Sequence, residues 1–409
     1  MLDALKRVKE NKGAPGVDGM TVEQLPDYLR QSWPLIRDQL LQNTYRPLPV
    51  RRVEIPKPAG GTRTLGIPSV LDRLIQQAIA QVLTPVFDPL FSPCSFGFRP
   101  GRRGHDAVRQ AVQYVNEGSN WVVDLDLEKF FDRVNHDKLM ARIARRVADK
   151  RLLTLIRRYL NSGVLLNGVV ICSEEGTPQG GPLSPLLSNV MLDDLDRELE
   201  RRGLRFVRYA DDANIYVRSQ RAGLRVKASI TQFLTDRLSL KVNEAKSAVD
   251  RPWRRKFLGF SMYHQRKTVR PRLSPQALRR VRERIRALTS RSRSQPMARR
   301  IETLNQFLRG WLGYYALADA RHSLMALDGW IRRRLRMCLW KQWKRAITRY
   351  RNLRQHGLSE HLAWEGAGSK RSSWRLSKSP PLHAALGTPY WVRQGLFSLE
   401  HGYQKLRQA

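Results

Sequence analysis

With 409 residues, 41% of them hydrophobic, the chain is long enough for two or three domains and apolar enough to bury a core, which excludes a disordered tail. Its 74 Lys and Arg against 36 Asp and Glu leave a net charge of +38, so a polyanionic partner is expected, although charge does not separate an enzyme from a binding protein. Three scattered cysteines, Cys94, Cys172 and Cys338, indicate neither a disulfide framework nor a structural zinc. No apolar run approaches the ~18 residues of a membrane span and Met1 opens no apolar signal core, so a cytoplasmic, bacterial-type protein without a membrane partner is expected.

In chain order, the first 50 residues predict helices around one Gly- and Pro-rich loop, 11–19. A strand pair follows over 50–56 and 62–67, with the Lys57-Pro-Ala-Gly-Gly61 turn between and Lys57 and Arg63 flanking it. Leu71, Leu74, Ile75, Ala78, Ile79, Val82 and Leu83 lie on one face of a helix that ends near Pro85. Residues 121–127 read as a buried strand whose period of two puts Asp124 and Asp126 on one side. Beyond the Gly-rich stretch 176–184, Leu187, Met191, Leu195 and Leu199 recur every four residues, as in an amphipathic helix starting near Pro185. Residues 205–217 form a strand hairpin broken at Ala210-Asp-Asp-Ala213, with Asp211 and Asp212 at its tip. Past Pro271 the chain turns to Arg-rich helices, and residues 251–409 carry 36 basic but only 7 acidic side chains.

Adjacent carboxylates inside apolar strands resist joint ionisation unless a cation neutralises them. Nucleotide transfer needs two divalent cations, and hard cations prefer carboxylate oxygens; Asp126, Asp211 and Asp212 could supply them. Taken alone, Asp211-Asp212 is equally well read as an ordinary turn.

The surroundings of that pair carry a resemblance. Tyr209-Ala-Asp-Asp212 between two strands resembles the active-site signature of reverse transcriptases, and the segments 11–19, 63–68, 95–101, 124–132, 177–182, 240–246 and 257–260 resemble that family's successive blocks in order. Residues 304–315 and 331–344 are similar to the maturase, or thumb, region of group II intron reverse transcriptases. Within these the chain looks nearest to bacterial class C forms, which lack a zinc-dependent endonuclease domain, as the absence of paired cysteines agrees.

The resemblance implies an α+β right-hand polymerase: fingers and palm with an antiparallel palm sheet over about 1–260, an N-terminal extension over about 1–50, a helical thumb/maturase domain over 265–345, and a basic C-terminal DNA-binding domain over 346–409. It implies two Mg²⁺ ions on Asp126, Asp211 and Asp212. Asp124, on the same strand face as Asp126, stays open as the alternative, with Asp126 preferred for its spacing to Phe131. Phe131 would exclude a 2′-hydroxyl, Lys57 and Arg63 would hold the triphosphate, and Gln179 would line the nucleotide pocket. Leu258-Gly259 would form a primer grip, with Lys246 near the active site. Arg332, Arg333, Arg334, Arg336, Lys341 and Lys344 would contact RNA or DNA, chiefly through phosphates. The implied partners are group II intron RNA, an RNA template with DNA primer, target DNA and dNTP, within a ribonucleoprotein. The family's relatives begin with another turn or more of helix before the segment matching Asp3–Glu10, so Met1 is expected to be an internal or alternative start.

Overall fold

Alternating apolar and polar side chains build the sheets of the computed structural model, which describes residues 1–56, 62–166, 169–171, 176 and 180–408. The chain divides into two units, 1–252 and 253–409. The first opens with α1 (Leu2–Glu10), α2 (Leu25–Leu41), β1 (Val50–Pro56), β2 (Thr62–Ile67), α3 (Val70–Phe87), α4 (Gly104–Asn116) and β3 (Trp121–Leu125). It continues with α5 (His136–Ala144), α6 (Lys150–Leu160), β4 (Val164–Leu166), β5 (Val169–Ile171), α7 (Ser184–Arg201), β6 (Arg205–Tyr209), β7 (Asp212–Val217), α8 (Gln220–Phe233) and β8 (Ala248–Asp250).

One four-stranded sheet has the order β2-β1-β4-β5; the other, β6-β7-β3-β8, is antiparallel throughout. In the second sheet, Val123 faces Ile215 and Leu125 faces Ala213 across β3 and β7, and these four side chains enter the core. The period-four residues of α7, Leu187, Met191, Leu195 and Leu199, are buried in the same core, as is Ile230 of α8. Helix α8 comes close to the sheet because Gly223 has no Cβ, which would overlap the Val249 side chain. The opposite sheet face carries Asp124, Asn214 and Tyr216, and α4 reaches it through Tyr114, whose ring lies 5.8 Å from that of Tyr216.

The strand expected over 121–127 ends at Leu125. Beyond it the backbone leaves β7 and pairs with another segment: the Asn243 N–H donates to the Asp126 carbonyl (2.8 Å) and the Glu128 N–H to the Lys241 carbonyl (2.8 Å). Alternation persists through this change of partner, so period alone reads the strand two residues too long.

The second unit begins with a hairpin of β9 (Phe260–Gln265) and β10 (Thr268–Leu273). Helices follow: α9 (Pro275–Leu288), α10 (Met297–Tyr315), α11 (Arg321–Gln342), α12 (Ala346–Gln355), α13 (Glu360–Gly368), α14 (Ser373–Leu376), α15 (Pro380–Ala385), α16 (Thr388–Arg393) and α17 (Leu399–Gln408). The last helix is tied back to α11 by Asp328, whose carboxylate accepts from the Leu399 N–H (3.0 Å), the Glu400 N–H (3.1 Å) and the Ser398 hydroxyl (2.9 Å). A carboxylate there satisfies N–H groups that the first turn of a helix leaves unpaired. The α+β class, antiparallel sheet followed by a helical region, is as expected from the sequence.

Leu195 is 1% exposed at the centre of the first unit's core. Leu195→Ala should therefore destabilise that unit by roughly 2–5 kcal/mol, the range for emptying a packed leucine site; urea unfolding followed by circular dichroism measures it.

Candidate active site

Strands β6 and β7 pair up to Tyr209 opposite Asp212, so the connection is only two residues, Ala210 and Asp211. Ala210 takes a left-handed backbone conformation (φ +58°), which tightens the turn. Asp211 thus occupies the turn, half-buried, while Asp212 opens β7 and is exposed.

The β3–β7 register places Leu125 opposite Ala213 and Asp124 opposite Asn214. The β3–β7 pairing ends at Leu125 and Ala213, so Asp126 lies one residue past the last pair and Asp212 one residue before it, opening β7. Asp126 is fixed by its backbone: its N–H donates to Ser247 Oγ (3.0 Å), and its carbonyl accepts from Asn243. Lys246 Nζ lies 3.5 Å from Asp126 Oδ1. Asp124 lies two residues deeper, flanked by Asn214 of β7 and Ala248 of β8.

Among the described residues no group of three or more His, Cys, Asp or Glu side chains stands ready as a metal cage. Asp126 follows the last residue of β3, Asp212 opens β7 and Asp211 precedes it in the turn, so the three carboxylates come from adjoining ends of neighbouring strands. Hard oxygen donors suit a divalent cation, and Lys246 partly offsets the charge of Asp126.

A second group of residues, which sequence reasoning missed, supports the turn. Arg208, fully buried, donates from Nε and Nη2 to both carboxylate oxygens of Asp196 on α7 (2.7 and 2.6 Å). Its Nη1 donates to Asn189 Oδ1 (2.9 Å) and to the Ala210 carbonyl (2.8 Å), and its Nη2 also donates to Ser95 Oγ (2.8 Å). Burial pushes the Asp196 carboxyl above its usual range, and the Arg208 charge opposes that shift. The segment carrying Ser95 then docks on the turn itself: the Phe96 N–H donates to the Arg208 carbonyl (2.9 Å), Asn189 Nδ2 donates to the Gly97 carbonyl (2.9 Å), and a Cβ on Gly97 would overlap the Ala210 backbone nitrogen. The available signal was Arg208 on the core-facing register of a strand, beside Phe206, where a charge demands a buried partner.

Phe131 is 9% exposed and belongs to the core cluster, edge-on to Phe130. Gly176 approaches the carbonyls of Phe131 and Asp132: a Cβ there would sit 3.1 Å from each oxygen. His136 holds the same glycine, with Nε2 2.6 Å from its carbonyl. Gly180 lies against the Gly66 carbonyl at the end of β2, the strand that carries Arg63. Lys57 and Gln179 lie outside the described residues.

In the second unit, Leu258 and Gly259 form a two-residue turn, both with positive φ, closed by paired backbone hydrogen bonds between Phe257 and Phe260. Tyr314 donates its hydroxyl to the Leu258 carbonyl (2.9 Å), and a side chain at Gly259 would strike Tyr315.

The arginines of α11 do not share one outward face. Arg336 is 3% exposed and donates to the carbonyls of Ser377 (2.8 Å) and Leu386 (3.3 Å); burial, with Arg332 and Arg333 nearby, brings it down to about 10. Arg334 donates to Thr289 Oγ1 (2.6 Å) and Arg333 stacks over the Trp374 ring at 3.9 Å, whereas Lys341 and Lys344 remain exposed.

A family model described as reverse transcriptase (RNA-dependent DNA polymerase) matches residues 55–262, half of the chain. The chain belongs to the reverse transcriptase family. A second model, the group II intron maturase-specific domain, matches residues 278–357 of this reverse transcriptase. Protein YkfC of Escherichia coli (strain K12) is 40% identical over 210 residues, covering 50% of this chain and 55% of that protein. The group II intron-encoded protein LtrA of Lactococcus lactis subsp. cremoris is 34% identical over 206 residues, covering 50% of this chain and 34% of LtrA. The aligned part therefore spans only about half of YkfC and a third of LtrA. Among solved structures, a partial Cas6-RT-Cas1–Cas2 complex is similar at 25% identity and a TM-score of 0.36, over 58% of this chain and 41% of that one.

Two substitutions probe the support of the turn in this reverse transcriptase. Asp196→Ala strands the buried Arg208 charge and should cost roughly 3–5 kcal/mol of stability, read from thermal unfolding. Gly97→Val, which would put side-chain atoms into the Ala210 backbone, should displace the Ala210-Asp211 turn and lower the thermal unfolding midpoint.

Proposed function

We propose that the chain is an RNA-directed DNA polymerase which also binds a group II intron RNA, assists its splicing and copies it into cDNA after invasion of target DNA. The reading is supported above all by the Tyr209-Ala-Asp-Asp212 turn, with Asp126 just past the adjoining end of β3, in a member of the reverse transcriptase family. The maturase-specific match over 278–357 supports the intron RNA as partner.

In this reaction the 3′-hydroxyl of a DNA primer, paired to an RNA template, attacks the α-phosphate of a dNTP and pyrophosphate leaves. Asp126, Asp211 and Asp212 would hold two Mg²⁺ ions, which stabilise the attacking and leaving oxygens when bound. Asp126 is preferred over Asp124 because it lies past the end of β3, next to the Leu125–Ala213 pair that adjoins Asp212, whereas Asp124 is paired with Asn214 inside the sheet. Lys246 balances the charge of Asp126 and would give way as a cation enters. Phe131 would form the floor under the sugar, its ring leaving no room for a 2′-hydroxyl. Lys57, Arg63 and Gln179 are assigned to the triphosphate and the nucleotide pocket, and Leu258-Gly259 to the primer strand. The helical segment over about 265–345 is assigned as thumb and maturase domain, and 346–409 as the part that meets DNA, within a cytoplasmic bacterial ribonucleoprotein nearest to the class C type.

Primer extension on an RNA template with Mg²⁺ tests the core of this reading. Asp212→Ala should abolish synthesis, by at least about three orders of magnitude if the metals supply several kcal/mol of transition-state stabilisation, while RNA binding persists. Undiminished synthesis by the variant would remove Asp212 from the site. For the maturase activity, wild type and Asp212→Ala should both stimulate splicing of the RNA that surrounds the gene.

A further inference from the structure

In the segment that docks on the Asp211-Asp212 turn, Gly97 and Arg99 are buried while Phe98 between them is 49% exposed. Phe98 also takes a left-handed backbone conformation (φ +61°), the only aromatic residue to do so among the described residues. That conformation is sterically costly for a bulky side chain, and a ring left half in solvent offsets little of the cost by burial.

Its two neighbours hold it there. Arg99 donates from Nε to Asp88 Oδ1 (2.7 Å), from Nη2 to the Asp88 carbonyl (2.7 Å) and from Nη1 to the carbonyls of Ser92 (2.6 Å) and Ser95 (3.0 Å). On the other side, the Gly97 carbonyl accepts from Asn189 Nδ2 (2.9 Å), and the Gly97 Cα is packed on the Ala210 backbone. The backbone of Phe98 cannot relax without breaking one of these sets. A costly conformation that its surroundings over-determine is a place to look for function.

Sheet order locates the ring. Residues 94–96 run along the outer edge of β6: the Arg208 N–H donates to the Cys94 carbonyl (2.9 Å), the Phe96 N–H donates to the Arg208 carbonyl (2.9 Å), and Ser95 pairs with Arg208 in parallel. Inward from this edge come β6, β7 and β3, so at a strand spacing of about 4.8 Å the segment lies about 10 Å from β7 and about 14 Å from β3. Asp212 opens β7 and Asp126 follows β3, so the primer 3′-hydroxyl is brought to those two strands. The strand paired with the primer lies across the base pair from that point. On the β8 side of the acids Lys246 engages Asp126; on the β6 side stands the Phe98 ring.

The geometry points to Phe98 as a template-positioning residue, its ring packed against the sugar of the template nucleotide that pairs with the primer 3′ end. A phenyl ring has no donor or acceptor with which to read a base, so it suits a contact that must accept every template sequence. The groove of an RNA helix that displays sugars is wide and shallow, which admits a ring held on a rigid loop. The inference rests on the reading of the chain as an RNA-directed DNA polymerase.

The test is steady-state primer extension by the full chain on an RNA template, with thermal unfolding of each variant alongside. Phe98→Gly should unfold no earlier than wild type, because glycine adopts this backbone freely, yet it should raise KM for the template–primer duplex about tenfold, the scale of one lost aromatic contact to a nucleotide. KM for dNTP should not change, and Phe98→Tyr, which keeps the ring, should extend as wild type does. With a photoreactive benzoyl-phenylalanine placed at position 98, irradiation should attach the chain to an end-labelled template and not to an end-labelled primer. Full extension by Phe98→Gly overturns the assignment, as does attachment to the primer alone. A loss confined to KM for dNTP would move the ring to the nucleotide pocket, and a marked fall in unfolding temperature would make it a packing group; either also overturns it. A wild-type chain that extends no primer would remove the polymerase reading itself, a result distinct from all of these.

Discussion

The buried ion pair between Arg208 and Asp196 sets the position of the Asp211-Asp212 turn. Both side chains are fully buried, and a pair removed from water gains little net stability because desolvation offsets the attraction. What the pair supplies is direction. A guanidinium has five donors in a fixed plane, and Arg208 aims its donors at α7, at Ser95 and at the Ala210 carbonyl, so helix, loop and hairpin are located by one rigid group. Gly97 completes the arrangement from the other side, by backbone contact that no side chain could permit. The turn that carries the two acids is therefore held by groups that need not touch a substrate.

That arrangement shows where sequence reasoning reaches and where it stops. Strands β6 and β7 and helices α3 and α7 were legible because their apolar periods report burial, with Val82 of α3 the exception at 66% exposed, and β1 and β2 were legible from the Pro- and Gly-rich stretch between them. Asp211-Asp212 was legible as a pair of acids between two strands, and its neighbouring blocks carried the family. The end of β3 was not, because apolar alternation continues while the backbone exchanges one partner for another. Arg208 was passed over for a related reason: a period marks which face is buried but not whether a charge on that face has found an acid. Asp196 sits among Leu192, Leu195 and Leu199 on the buried side of α7, and only the fold brings it to Arg208.

The cations of the Arg-rich helices were expected to contact nucleic acid, and the structure separates those that pack inward from those left in solvent. Tryptophans do pack: Trp340 and Trp391 are among the largest fully buried side chains. The cations divide. Lys341 and Lys344 stay in solvent, whereas Arg333, Arg334 and Arg336 find aromatic, hydroxyl or carbonyl partners inside the unit. Charge alone could not make this division, since an inward guanidinium and an outward one count equally.

The inward arginines follow a common chemistry. Arg300 donates to the carbonyls of Leu288 (3.1 Å), Ser290 (2.9 Å) and Arg293 (2.8 Å), and Arg334 to those of Arg286 (3.3 Å) and Thr289 (3.2 Å). The carbonyls of Arg286 and Leu288 belong to the last turn of α9, which leaves them without helical partners, and those of Thr289, Ser290 and Arg293 follow it in the chain. The guanidiniums thus act as caps supplied from elsewhere in the unit, and a lysine, with a single compact head, could not span the same set. Arginine at these positions is a requirement of folding before it is one of binding. A descendant of this chain that abandoned nucleic acid altogether could lose the outward cations freely, yet it would have to keep Arg300 and Arg334 to keep its helices.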